Sequence, residues 1–168
     1  EFTKQRVNRL LFDENNPPPA RLPASFRNQE FSLKQHQEYG VAWLQNLYQY
    51  APEQVSGCLL ADDMGLGKTL QLLCFIGEYL ENVEAKKPVL VVAPVSLLEN
   101  WEAEANRFFS GRFAKILSLY GDNLKDRKIP KHFISAQLRE NHGITHLLED
   151  DWRGDADIVL TTYETMRD

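Results

Sequence analysis

The chain has few cysteines, no excess of positive charge and no long apolar run. Two of its 168 residues are cysteine, and neither Cys58 nor Cys74 has a Cys or His at the short spacing that zinc sites use. We interpret both as buried free thiols. No apolar run approaches the roughly 18 residues that span a bilayer, and no signal-type apolar segment follows the charged start. We therefore expect an intracellular protein without a zinc site or membrane segment.

Acidic residues outnumber basic ones by 24 to 19, which gives a formal net charge of -5. No global positive field would draw the chain onto nucleic acid, so any such binding must be local. With 43% hydrophobic and 26% charged residues, the composition and the length fit one globular domain. Because the first residue is Glu rather than Met, we expect the chain to be part of a longer protein.

The start of the chain predicts a lead-in segment followed by a helix. Three consecutive prolines beginning at Pro17 favour an extended path. From Leu33 to about Tyr50, apolar residues recur at helical spacing, which predicts the first helix. We therefore divide the chain into a lead-in at residues 1–30 and a folded domain at residues 31–168.

Short apolar runs alternate with helical periods along the rest of the chain. The runs with the length and composition of strands lie at 57–61, 88–93, 114–120 and 157–161. The run at 88–93 is typical of a parallel strand covered on both faces. Helices are predicted at 69–80 and from Ser96, which can cap its helix in a box with Glu99; turns and a short helix are predicted at 121–154. This alternation predicts an α/β fold, a three-layer α/β/α sandwich with a mainly parallel sheet.

A glycine-containing turn joins the first predicted strand to the next helix, and it reads DDMGLGKT from Asp62. The strict phosphate-loop pattern G-x-x-x-x-G-K-[ST] has a glycine where Asp62 stands. Gly65 and Gly67 permit positive φ, so backbone N–H groups can converge on phosphates at the helix start. Lys68 would meet the β- and γ-phosphates, and Thr69 would ligate Mg²⁺. A bare strand-to-helix turn is the alternative, and the strand, loop and helix context argues against it.

The longer string LADDMGLGKTLQ, at 60–71, resembles the first ATPase motif of the Swi/Snf family, L-A-D-[ED]-M-G-L-G-K-T-x-Q, which also lacks the first glycine. Members are helicase-like ATPases of superfamily two that translocate on duplex DNA. The resemblance implies an incomplete RecA-like phosphate-loop lobe with ATP and Mg²⁺ as cofactors. Lys68 and Thr69 are the implied catalytic residues, and Thr69 is the implied magnesium ligand. The implied ATP-binding residues are Gln37, Asp62, Asp63, Met64, Gly65, Leu66, Gly67, Lys68 and Thr69.

An upstream segment, LKQHQEYGVAWL at 33–44, resembles the adenine-side motif of the same family, L-[RK]-x-[YH]-Q-x-x-G-V-x-W-L. The resemblance implies that Gln37 reads the adenine edge, and a carboxamide that both donates and accepts hydrogen bonds suits that role. A polar position on an amphipathic helix is the alternative for Gln37. Trp43 and Leu44 are assigned to the core.

Two further segments resemble family motifs that face DNA, namely PVLVVAPVSLLENW at 88–101 and DIVLTTYETM at 157–166. The DNA-binding candidates that this resemblance implies are Ser96, Asn100, Thr161 and Thr162. Hydroxyl and amide groups can donate to phosphate oxygens. A capping role would equally account for Ser96, and threonines at strand ends commonly have structural roles, so both alternatives stay open.

Two parts of the family's ATP site have no counterpart in this sequence. No Asp-Glu pair on an apolar strand matches the acidic motif D-E-x-[HQ], and no second lobe follows. Phosphoryl transfer needs several such parts, so we expect the longer protein to be an ATP hydrolase and duplex-DNA translocase and this chain alone to lack appreciable ATPase activity.

Several expectations about partners and location follow from the resemblance. The expected partners are double-stranded DNA, the second ATPase lobe and other proteins of a DNA-associated complex, without a membrane. The expected location is the bacterial cytoplasm in association with the nucleoid, or the nucleus for a eukaryotic parent. A non-catalytic interaction module that keeps a nucleotide-binding fold is the alternative function. A kinase or GTPase is disfavoured, because the motifs differ and no N-K-x-D motif is present.

Overall fold

The computed structural model describes residues 16–84, 87–111, 113–136, 140 and 147–167. Parts of the predicted lead-in (1–15) and of the predicted turn region (137–139 and 141–146) lie outside these residues. Within the described ranges, no helix is long and apolar enough to cross a membrane. The elements in chain order are α1 Gln35–Tyr48, α2 Lys68–Asn82, β1 Val89–Val92, α3 Val95–Phe108, β2 Ile116–Leu119, α4 Gly121–Lys125, a 3-10 turn Lys131–Phe133, β3 Ile158–Thr161 and α5 Tyr163–Arg167.

The described residues form two compact units. Residues 16–84 belong to the first unit together with 104–111 and 113, and the other described residues form the second. Helix α3 therefore contributes residues to each unit.

In the first unit, α1 and α2 form as their helical periods predict, and they pack against each other. Val41 and Leu44 of α1 and Leu73 and Cys74 of α2 are buried. The predicted core position of Leu44 is thus confirmed. Apolar residues at helical spacing give each helix one face to bury, and mutual packing of these faces stabilises both helices.

Part of the predicted lead-in packs into the first unit. The Phe26 side chain is buried, and its ring meets the Phe109 ring edge-on, with the centroids 5.6 Å apart. The Arg27 backbone N–H donates to the Phe108 carbonyl at 2.9 Å. Pro17, Pro18 and Pro19 are exposed and lie outside regular structure, whereas Pro23 is buried. The division of the chain at residue 30 remains a prediction.

The strand predicted at 57–61 is wrong. These residues form no strand in the structure, and Leu59 is 83% exposed. Cys58 is exposed as well, so its predicted burial is wrong, whereas that of Cys74 is confirmed. The run has the composition of a strand, but a strand forms its backbone hydrogen bonds with a neighbour, and no described strand pairs with this run.

The second unit contains a three-stranded parallel sheet in the order β1-β3-β2. The three strands predicted at 88–93, 114–120 and 157–161 are therefore confirmed. Every residue of the central strand β3 is buried, and its Val159 packs with Leu119 and Ala156. Leu90 of the edge strand β1 is half-exposed, so the predicted cover on both faces fails for this strand among the described residues.

The predicted cap of α3 is wrong. The helix begins at Val95, which places Ser96 inside its first turn rather than in the capping position before it. The Pro94 carbonyl accepts the first helical hydrogen bonds, from Leu97 at 2.9 Å and from Leu98 at 3.3 Å. Both Leu97 and Leu98 are predicted for the apolar face of this helix; Leu98 is fully buried, but Leu97 is half-exposed.

Candidate nucleotide site

The phosphate-loop candidate leads into a helix start that carries no side-chain cap. Gly65 and Gly67 have φ of 83° and 78°, a left-handed conformation that glycine adopts without steric cost. Gly67 is the residue before α2, and no side chain caps this helix. The first N–H groups of a helix have no partner within it, and the helix dipole places partial positive charge at the same point. The helix start is therefore suited to hold an anion.

Lys68, the first residue of α2, donates hydrogen bonds back to the beginning of the loop. Its ammonium group donates to the carbonyl of Asp62 at 2.7 Å and to that of Asp63 at 2.9 Å. An ammonium group has three donors, so these bonds leave one for a further acceptor. Lys68 thus places a positive charge within the loop and next to the helix start, where a phosphate group would need it.

Gln37 lies against the loop rather than on the exposed face of α1. Its side chain is 8% exposed. Its Oε1 accepts the Lys34 N–H at 2.9 Å, and its Nε2 donates to the Leu66 carbonyl at 3.2 Å. A Cβ atom at Gly67 would overlap this carboxamide, so Gly67 gives Gln37 room. The carboxamide keeps one donor and one acceptor site for a further group, and adenine reading by Gln37 stays a prediction.

Three residues of this site were not predicted. His36 places Nε2 3.1 Å from the Leu66 carbonyl, so it holds the same loop oxygen as Gln37. Gln71 of α2 is fully buried and donates to the Asp62 carboxylate at 3.3 Å. Gly40 of α1 lies against the Gln71 side chain. The sequence signal for Gln71 was a polar residue at a core position of an otherwise apolar helical period.

The outer part of the loop is open to solvent. Met64 is 96% exposed, and Leu66 is exposed as well. Asp63 is exposed and Asp62 is partly buried, while Thr69 is partly buried as the second residue of α2. The predicted loop residues thus lie together before and at the start of α2.

The residues present fit ATP and Mg²⁺. The uncapped helix start, Lys68 and the two left-handed glycines supply the donors and the positive charge that phosphates require. Among the described residues, no group of three or more His, Cys, Asp or Glu side chains is arranged to hold a metal ion. Mg²⁺ commonly takes few protein ligands besides phosphate oxygens, so the Thr69 hydroxyl is compatible with such a site.

In the second unit, the four DNA-binding candidates fall into two pairs. Ser96 and Asn100 are exposed on α3, and four residues of separation place them on one helix face. Thr161 is buried and donates its hydroxyl to the Leu119 carbonyl at 2.9 Å. The buried Thr162 hydroxyl accepts the Thr165 N–H at 3.2 Å. These hydrogen bonds agree with the structural alternative for both threonines, and their role in DNA binding stays a prediction.

Comparisons with known proteins agree with this geometry. Residues 36–168 match the family model of the SNF2-related domain. The chain is 49% identical over 167 residues to the Zorya protein ZorD of Escherichia coli O139:H28, which covers 99% of this chain and 15% of ZorD. It is 38% identical over 134 residues to the ATP-dependent helicase FUN30 of Saccharomyces cerevisiae, with 80% of this chain and 10% of FUN30 covered.

A solved structure is similar as well. The SWI2/SNF2 ATPase core of Sulfolobus solfataricus, in complex with double-stranded DNA, superposes with a TM-score of 0.56 at 30% sequence identity. The match covers 90% of this chain and 24% of that core. The predicted fold class, a parallel α/β lobe of the RecA-like type, is therefore confirmed. The chain spans about a quarter or less of the length of each of these relatives.

Proposed function

The chain belongs to the SNF2-related domain family, as its motifs predict, and on this premise we propose that it is the ATP-binding part of the first lobe of a DNA-dependent ATPase. The larger protein would move along double-stranded DNA and remodel protein–DNA complexes. The observation that supports this most is the loop at Gly65 and Gly67. It opens onto an uncapped helix start and encloses the ammonium group of Lys68.

The residues of the loop would divide the work of holding ATP. The N–H groups at the start of α2 would bind phosphate oxygens, and the remaining donor of Lys68 would bind the β- and γ-phosphates. Gln37 would bind the adenine edge with the donor and the acceptor that the loop leaves unused. Thr69 would hold Mg²⁺, which, when bound, neutralises charge on the phosphates.

DNA would be held by local contacts. Ser96 and Asn100 are exposed on one face of α3, and their side chains are suitable donors to backbone phosphates. The net charge of -5 makes a broad electrostatic contact unfavourable, so these contacts need to be few and specific in position. Thr161 and Thr162 are left out of this proposed surface, because their hydroxyls have partners within the fold.

Hydrolysis would need groups that this sequence does not contain. An acidic D-E-x-H motif would position the metal and the attacking water, and a second lobe would complete the site, so we expect no appreciable ATPase activity from this chain alone. In the larger protein, the partners would be duplex DNA, the second lobe and other proteins of a DNA-associated complex. The similarity to a bacterial protein favours a location in the cytoplasm at the nucleoid.

The direct test is DNA-stimulated ATP hydrolysis by the full-length protein that carries this chain. Lys68→Ala should lower kcat/KM by about 100-fold or more, because a charge contact to the transferred group is lost. Lys131→Ala is the control, since Lys131 is an exposed lysine of the second unit. Full activity in Lys68→Ala would contradict the assignment. Binding of ATP without hydrolysis, with or without DNA, would support an interaction module instead.

A further inference from the structure

Gln71 is a buried polar residue in an apolar helix, three positions after Lys68. Its side chain has no exposed surface, and its neighbours Leu70, Leu73 and Cys74 are all buried. Its Nε2 donates to Oδ2 of Asp62 at 3.3 Å. Because an ionised carboxylate only accepts hydrogen bonds, this partner fixes which end of the carboxamide is nitrogen.

The other end of the Gln71 carboxamide has no hydrogen-bond partner. Oε1 is buried and unpaired, and it lies where a Cβ atom at Gly40 would be. Burying an unpaired carbonyl oxygen costs free energy, and a leucine of similar size would avoid that cost. The carboxamide is therefore poorly explained as core packing, and its bond to Asp62 is what distinguishes it from a leucine.

Asp62 connects Gln71 to the loop lysine. The Asp62 carboxylate accepts from Gln71, and the Asp62 backbone carbonyl accepts from Lys68 Nζ at 2.7 Å. The hydrogen bond from Gln71 restricts the positions open to the Asp62 side chain, and through it those open to the Asp62 backbone. The path thus runs from the buried interface of α1 and α2 to the ammonium group that would bind the phosphates of ATP.

We propose that Gln71 is a positioning residue for the phosphate loop: it holds Asp62, and through the Asp62 carbonyl it fixes the place of the Lys68 ammonium group. Gly40 provides the space that Gln71 needs. The inference rests on the proposed ATP-binding function. Without the Gln71 donor, the Asp62 carbonyl that accepts from Lys68 is less ordered. ATP binding then has to order the loop, and the free energy that this requires weakens the observed affinity.

The test compares two buried glutamines in the full-length protein. Gln71→Leu keeps the side-chain volume and removes the donor. Gln45→Leu is the matched control, since Gln45 is also buried on α1 but bonds to the backbone of Arg21 at 2.7 and 3.0 Å. With a fluorescent ATP analogue as the probe, Gln71→Leu should raise Kd about tenfold or more, whereas Gln45→Leu should change it less than twofold.

A double-mutant cycle with Lys68→Ala tests the path itself. If Gln71 acts through Lys68, then Gln71→Leu should change Kd less than twofold when Lys68 is already alanine. A merely structural role would weaken binding by the same factor in both backgrounds. Equal losses in both backgrounds, equal losses in Gln71→Leu and Gln45→Leu, or wild-type affinity in folded Gln71→Leu would each overturn the inference.

Gly40→Ala provides an independent variant if Gln71→Leu does not fold. Alanine is the better helix former, so α1 should persist, but its Cβ would displace the Gln71 carboxamide from Asp62. Gly40→Ala should therefore also raise Kd about tenfold, and unchanged affinity would overturn the inference. If the wild type does not bind the probe, or if Lys68→Ala alone has no effect, the proposed function fails and this inference fails with it; if both behave as expected, the Gln71 and Gly40 variants test this inference alone.

Discussion

The two segments that flank the phosphate loop differ sharply although both are apolar. Before the loop, residues 57–61 form no regular structure, and Leu59 is 83% exposed. After the loop, α2 is regular, and Leu73 is 1% exposed. A helix satisfies its backbone hydrogen bonds within itself, whereas a strand requires a paired neighbour. Apolar composition alone therefore does not decide whether a run with the pattern of a strand is buried, because its pairing depends on another part of the chain.

Two leucine substitutions test this contrast most strongly. Leu73→Ala should lower the free energy of unfolding by about 2–5 kcal/mol, because it removes buried methyl groups and leaves a cavity. Leu59→Ala should change it by less than about 0.5 kcal/mol, since its side chain is exposed. Urea unfolding of the full chain measures both. Similar losses in the two variants would show that residues 57–61 are as well packed as α2.

The correctly predicted elements are helices with a clear helical period and β-branched runs that find a neighbouring strand. The helical periods of α1 and α2 are visible residue by residue, and the β-branched runs of β1 and β3 pair with each other in parallel. The run at 57–61 has an equally clear strand pattern, but its pairing depends on residues that the pattern does not specify. Whether an apolar run is paired is a long-range property.

Two glycines extend the contrast into the loop itself. Gly65 lies in open space, whereas a Cβ at Gly67 would overlap the Gln37 carboxamide. Gly65→Ala should cost about 1–2 kcal/mol of stability, from the left-handed backbone alone. Gly67→Ala should cost more and should also weaken ATP binding, because the overlap adds to the same strain. Equal effects of the two variants on unfolding and on ATP affinity would contradict the contact between Gln37 and the loop.

The two cysteines lie in the two segments compared above, Cys58 before the loop and Cys74 in α2. Burial raises the pKa of the Cys74 thiol from 9.0 to about 12. Between these values the unfolded chain loses the proton first, so stability should fall as pH rises above 9, by at most about 1.4 kcal/mol per pH unit. Unfolding of wild type and Cys74→Ala between pH 8 and about pH 10.5 measures this, and the variant should show a shallower decline.

Thiol labelling gives a second measure of the difference. Cys58 is exposed and Cys74 is buried, so a thiol reagent at neutral pH should modify Cys58 in the folded chain and Cys74 only after unfolding. Cys58→Ser should abolish the fast reaction. Fast labelling of both thiols in the native chain would show that the α2 side of the loop is as open as the segment before it.

The sequence predicted the residues that would bind the ligand, but not the residues that hold them in place. The loop residues were found because glycine, lysine and threonine have specific roles at that spacing. Gln71 was missed because a single polar residue in an apolar helix gives no indication of which side chain it bonds to. The hydroxyls of Thr161 and Thr162 were proposed for DNA, but the carbonyl and amide that they bind inside the fold are visible only in three dimensions.

The most direct test of the central claim, that the loop and the start of α2 form an ATP site, is an equilibrium titration of the full-length protein with ATP and Mg²⁺. Wild type and Lys131→Ala should bind with the same Kd, whereas Lys68→Ala should bind at least about tenfold more weakly, since charged hydrogen bonds are the stronger class. Identical affinity in all three proteins would contradict the claim.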